Sequence, residues 1–189
     1  MSLFFITGIA GTGKTTVWQE LKSRGYEAYD VDESGLAKWQ NKETGYVHPK
    51  SSVKKEQRTR EFLESHSWNV SRQEVEELAV RAKDKDIFLC GAVTNEIEIR
   101  DLFKLVFALM VDNKTLKHRL LTRVGNAWGK QPHELEQTLV WQHDANEAYK
   151  KFGDFIIDSS RPINDVVNDI LKVVNDEHLL SSTTLSAQT

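Results

Sequence analysis

A chain of 189 residues can build one substantial hydrophobic core, and its 28% charged and 39% hydrophobic residues are ordinary for a water-soluble domain. The net charge of −3 gives no general attraction to nucleic acid or anionic membrane, so small-molecule partners come first. Cys90 is the single cysteine, which excludes an intramolecular disulfide and a Cys-x-x-Cys zinc site and leads us to expect a reducing, cytoplasmic setting.

In chain order, the apolar run Leu3-Phe4-Phe5-Ile6 reads as a strand over 3–7, far too short for a signal core or a membrane span. It runs directly into Gly8-Ile9-Ala10-Gly11-Thr12-Gly13-Lys14-Thr15, which fills the phosphate-binding pattern G-x-x-x-x-G-K-[ST]. Gly8, Gly11 and Gly13 let the backbone approach an anion closely, so that successive N–H groups can wrap phosphates. Lys14 can reach the β/γ-phosphates as a point charge, and Thr15 can offer its hydroxyl to Mg²⁺. A helix continuing through Thr16-Val17-Trp18-Gln19-Glu20-Leu21 would aim its positive end at the same anion.

Further strands are expected over 26–31, 86–91, 104–111 and 154–158, alternating with amphipathic segments, which predicts an α/β architecture with a parallel sheet. The stretch Asn41 to Pro49 reads as a turn-containing loop, and Lys54 to Glu61 as a charged helix face. Val75, Leu78, Ala79 and Ala82 form a helical stripe, Asn95 with Glu98 fits a capping box, and Asp112 is placed to cap a helix through Leu116, Leu120 and Leu121. Residues 125–131 have the breaker-rich composition of a mobile lid. Ile163, Val166, Val167, Ile170, Leu171 and Val174 predict the last helix, with Pro162 at its first position. One domain over 1–178 is expected, followed by a tail over 179–189 without fixed structure.

The second chemical cluster is Tyr29-Asp30-Val31-Asp32-Glu33, at the end of the second expected strand. Ligands of open α/β sheets gather at the carboxyl ends of strands, which puts both aspartates near a γ-phosphate. One can hold a Mg²⁺-bound water; the other can accept a hydrogen bond from an acceptor hydroxyl and take its proton. Trp39, Trp68, Trp128 and Trp141 could line an aromatic acceptor pocket, although large aromatics more often serve a core or an interface.

These motifs, in this order over about residues 1–175, resemble the small P-loop kinases, the group that contains adenylate, shikimate and gluconate kinases. The resemblance implies a five-stranded parallel sheet of order 2-3-1-4-5 and the use of ATP with Mg²⁺. It assigns nucleotide binding to Gly8, Ala10, Gly11, Thr12, Gly13, Lys14, Thr15 and Thr16, metal binding to Thr15 and Asp30, and the acceptor to Asp32. Arg119-Leu120-Leu121-Thr122-Arg123 resembles the Arg-Leu-x-x-Arg at the lid, so Arg119 and Arg123 are assigned to the nucleotide and the transferring group. Gly91 resembles the glycines of the shikimate kinase acceptor site, and Arg58 lies in the segment where the family builds its acceptor region.

Two departures narrow the acceptor. The Asp-Gly-Phe-Pro-Arg of adenylate kinases is replaced by Leu89-Cys90-Gly91-Ala92-Val93, and no arginine occurs between Arg123 and Arg161. The expected activity is therefore γ-phosphoryl transfer to a small molecule, a nucleoside or nucleotide first and a sugar acid or shikimate-like metabolite as the alternative. Arg58, Arg60 or Arg100 would bind any anionic acceptor group. An ATP-binding regulator with slow ATPase activity is the reading from a different class, and a monomer or homodimer without nucleic-acid or membrane partners is expected.

Overall fold

The computed structural model describes residues 1–50, 52–124, 128–152 and 155–186. β1 (Leu3–Thr7) is buried along its whole length and leads through the glycine-rich loop into α1 (Lys14–Ser23). β2 (Glu27–Asp30) follows, then an antiparallel hairpin of β3 (Ala37–Asn41) and β4 (His66–Val70), with the short α2 (Arg60–Ser65) in its connection. Next come α3 (Arg72–Arg81), β5 (Ile87–Cys90), α4 (Glu96–Ile99), β6 (Leu105–Met110) and α5 (Asn113–Thr122). The chain continues with α6 (Pro132–Phe152), β7 (Phe155–Asp158) and α7 (Ile163–Ser186).

The main sheet has the order β2-β5-β1-β6-β7 with every neighbouring pair parallel. Setting the hairpin aside, this is the expected 2-3-1-4-5 arrangement, and the expected strands fall within a residue of the observed ones. Residue 154, assigned to the last strand from the sequence, lies outside the described residues. The pleat explains how one run covers two layers: Phe4 and Ile6 pack with Val17, Leu21, Val166 and Ile170 from α1 and α7, while Leu3 and Phe5 pack with Val75, Leu78 and Ile99 from α3 and α4. The central strand is thus sealed on both faces, and its carboxyl end is the only part left to meet a ligand.

Several local expectations are corrected. Asn41, expected to open the loop, instead ends a strand: residues 37–41 and 66–70, given no element from the sequence, pair as a hairpin, and the charged segment at 54–61 forms only a 3₁₀ turn at Lys55–Gln57 before α2 begins. Asn95 does not form a capping box. Its side chain instead accepts from Val70 N–H at 3.2 Å and donates to Val70 C=O at 2.9 Å, clamping β4. Leu121 faces solvent, whereas Leu116 and Leu120 are buried. α7 continues through 179–186, because no glycine or proline after Pro162 interrupts it; 187–189 lie outside the described residues.

Candidate active site

The loop after β1 is shaped by backbone that only glycine adopts readily. Gly13 sits at φ 103° immediately before α1, and no side chain caps that helix start, so its amide dipoles face the cleft. At Gly8, with φ 143°, a Cβ would stand 2.7 Å from both Leu109 C=O and Thr12 Oγ1. Lys14 folds back over the loop, its Nζ donating to Gly8 C=O at 2.6 Å and Ile9 C=O at 2.9 Å. Burial of this ammonium brings its pKa down to about 8, against the pull of Asp32 and Asp30. An anion placed against it would restore the charge.

Asp30, at the end of β2, is 4% exposed and organises its neighbours. Its Oδ2 accepts from Thr15 Oγ1 at 3.1 Å; its Oδ1 accepts from the backbone N–H of Asp32 at 2.9 Å and of Glu33 at 3.3 Å. That second set shapes the turn presenting Asp32. Asp32 Oδ1 accepts from Trp68 Nε1 at 3.0 Å, and its Oδ2 has no hydrogen bond among the described residues. The wall around it withdraws water and raises its pKa, and Asp30 adds to the shift while the Trp68 N–H opposes it.

These groups line one cleft of 710 Å³ running across the carboxyl ends of the strands. Its lining includes Ala10 to Val17, Asp30, Asp32, Trp68, Gly91, Ala92, Arg119, Arg123 and Arg161. Charge is segregated along it. The arginines come from α5 and the end of β7 on one side of the loop, and the carboxylates come from β2 on the other. Arg119 donates to Ser159 C=O at 2.8 Å and Thr12 C=O at 3.4 Å, which fastens α5 to the loop. Arg123 donates to Trp128 C=O at 2.7 Å, while its buried Nε has no hydrogen-bond partner among the described residues; burial lowers its pKa. A loop with uncapped helix amides, a desolvated lysine and an arginine N–H without an acceptor fits a polyphosphate.

The AAA domain family matches residues 5–142. The chain belongs to this AAA-domain family. Solved structures with the same fold include shikimate kinase from Acinetobacter baumannii in complex with shikimate, at 15% identity over 94% of this chain and 94% of that one, TM-score 0.60. A gluconokinase from Sinorhizobium meliloti 1021 aligns at 15% identity over 95% and 97%, TM-score 0.54. Deoxyadenosine kinase from M.mycoides with bound dATP aligns at 14% identity over 93% and 100%, TM-score 0.51. No curated protein matches in sequence. The fold of this AAA-domain chain is that of the small P-loop kinases.

Sequence-assigned residues are not all at the cleft. Gly8 packs against Leu109 and Thr12 rather than lining the cleft, and Gly91 and Ala92 line its carboxylate side. Glycine is required at 91 by packing: a Cβ there would stand 2.2 Å from Val31 Cγ2. Arg58 turns away, its guanidinium 5.8 Å over the Trp39 ring and donating to Val53 C=O at 3.2 Å, so it does not line the cleft. Trp68 does line it, whereas Trp128 and Trp141 stack on each other with centroids 5.8 Å apart. Of the expected lid, 125–127 lie outside the described residues; Trp128 and Gly129 are pinned to α6 through Thr138 Oγ1 at 3.0 Å and Glu134 Oε2 at 2.9 Å.

Sequence reasoning missed a buried cluster behind the loop. Thr7 Oγ1 donates to Glu96 Oε2 at 2.8 Å and lies 3.3 Å from Tyr149 OH, while Arg100 Nη1 pairs with Glu96 Oε1 at 2.6 Å. Burial raises the Glu96 carboxyl and lifts Tyr149 to about 12. The cluster joins the strand feeding the loop to α4 and α6. Only the i, i+4 spacing of Glu96 and Arg100 signals it in sequence.

Proposed function

We propose that this protein is an ATP-dependent phosphotransferase that moves the γ-phosphoryl group of Mg-ATP to a hydroxyl of a small molecule. The observation that carries this reading is the meeting, in one cleft, of the loop with Lys14, the Thr15–Asp30 pair and the open oxygen of Asp32. Hydrolysis alone would need only the loop and a metal site; a second carboxylate presented beside them suits an acceptor alcohol.

In this reading the loop amides and Lys14 hold the β- and γ-phosphates, and Arg119 and Arg123 face the nucleotide from α5. Thr15, held by Asp30, would carry Mg²⁺, which offsets phosphate charge when bound. Asp32 Oδ2 accepts the acceptor's O–H and orients its oxygen toward the terminal phosphorus. The new P–O bond forms as the bond to the bridging oxygen breaks; ADP departs and the acceptor proton passes to Asp32. Positioning and electrostatics contribute most of the acceleration, so the protein needs no covalent intermediate.

The test is ADP formation from Mg-ATP with pools of nucleosides, nucleoside monophosphates, neutral sugars, sugar acids and shikimate, run beside Lys14→Ala. Stimulation by one pool, lost in the variant, is the expected result. Nucleotide binding with a slow turnover that no pool changes would favour a nucleotide-dependent regulator instead.

A further inference from the structure

We propose that Trp68 is the platform on which the acceptor lies, and that the acceptor is an uncharged, ring-bearing alcohol. This rests on the kinase reading and deepens it.

The charge of the cleft is the first support. Lys14, Arg119, Arg123 and Arg161 are the cationic side chains that line it among the described residues, and they come from the start of α1, from α5 and the residue after it, and from the turn after β7. Polyphosphate would occupy that half. The remaining half is walled by Asp30, Asp32, Trp68, Gly91 and Ala92. Basic residues of the neighbouring segments are engaged elsewhere: Lys38 pairs with Glu74 at 3.0 Å, Arg72 with Asp101 at 2.6 Å, Lys50 Nζ donates to Glu33 C=O at 3.0 Å, and Arg58 covers Trp39. A carboxylate or phosphate on the acceptor would therefore meet two carboxylates whose coupled cation, Lys14, is held over the loop and taken up by the polyphosphate, which selects against anionic acceptors by repulsion.

The second support is how firmly Trp68 is held. Its backbone exchanges two hydrogen bonds with Thr94, N–H to Oγ1 at 3.1 Å and C=O from Thr94 N–H at 2.8 Å. Trp39, its partner across the hairpin, lies behind it at 5.0 Å between ring centroids. Its Nε1 is fixed on Asp32 Oδ1. One side chain thus orients the carboxylate and presents a half-buried aromatic surface beside it, so an acceptor hydroxyl on Asp32 Oδ2 brings the ring that carries it alongside the indole. Gly91 and Ala92 line the same half with small surfaces. A nucleobase or the C–H face of a cyclic polyol matches such a surface.

The experiment measures acceptor kcat and KM for matched pairs: thymidine against thymidine monophosphate, and methyl shikimate against shikimate. Wild type is compared with Trp68→Ala and Trp68→Phe, with folding checked by thermal melts. Uncharged members should be preferred by tenfold or more. Trp68→Ala should raise acceptor KM roughly tenfold, as loss of one stacking surface does, and leave the KM for ATP within about twofold. Trp68→Phe keeps a ring but removes the N–H from Asp32, so acceptor KM should stay within about threefold of wild type while kcat with the acceptor falls. Preference for the anionic members, or an unchanged acceptor KM in both variants, would overturn the inference and leave the kinase reading standing. If no member of these pairs and no pool of the wider acceptor panel stimulates ADP formation, the kinase reading fails and takes this inference with it.

Discussion

The two halves of the cleft are built in different ways. The half proposed for phosphate centres on one contiguous stretch, residues 8–16, whose backbone amides are held by glycine conformations, with Arg119, Arg123 and Arg161 added from the far side. The other half collects Asp30, Asp32, Trp68, Gly91 and Ala92 from three separate segments, and its recognition groups are side chains. A grip on phosphate, which every nucleotide shares, can be written locally; a surface that selects one acceptor is assembled by tertiary structure and can be exchanged without disturbing the grip.

The comparison makes its largest prediction at Asp32. Asp32→Asn should lower kcat by about 10²–10⁴-fold with an acceptor while ATP affinity stays within a few-fold, because a general base is lost and the loop is untouched. In wild type, burial and Asp30 raise the Asp32 pKa, so kcat/KM should fall as pH drops through a value above the ordinary aspartate range, near 3.9; the variant should lose that limb. A parallel loss of ATP binding would break the division into halves. On the phosphate side, Lys14→Ala should cost about 10²–10³-fold in turnover for every acceptor alike, measured as initial rates across the panel.

Smaller effects should fall on stability and on the acceptor half. Gly91→Ala pushes a methyl against buried Val31, which stands between the two aspartates, and should destabilise by about 1–3 kcal/mol in denaturant titrations. Acceptor KM should rise more than the KM for ATP. Asn95→Ala removes both hydrogen bonds that clamp Val70 and should cost about 1–2 kcal/mol, again with a larger effect on acceptor KM. Equal changes in both KM values would mean that the hairpin supports the whole cleft rather than one half.

Legibility in the sequence follows the same division. The buried strands announce themselves as short apolar runs, and Asp112 caps α5 through Thr115 N–H at 2.9 Å, as its position predicts. The hairpin was hidden because the alternation in Ala37-Lys38-Trp39-Gln40-Asn41 and His66-Ser67-Trp68-Asn69-Val70 is short and few of these residues favour strands; their pairing is stabilised by Trp39 on Trp68 and by the Asn95 clamp, contacts between distant residues. Asp30 and Asp32 stood out by spacing, but Asp32 lies beyond β2 and is aimed by a turn that Asp30 itself holds. Nothing local marks Trp68 as different from Trp128 or Trp141, because which indole reaches the cleft is decided by topology.

The central claim is transfer to an alcohol on Asp32, and following the label from γ-labelled ATP tests it most directly, in wild type and Asp32→Asn, with the acceptor that stimulates most. The account predicts that label appears in an acid-stable phosphate ester of the acceptor, and that this product is lost in the variant while nucleotide binding persists. Label released only as inorganic phosphate, at the same rate in both proteins, would contradict it.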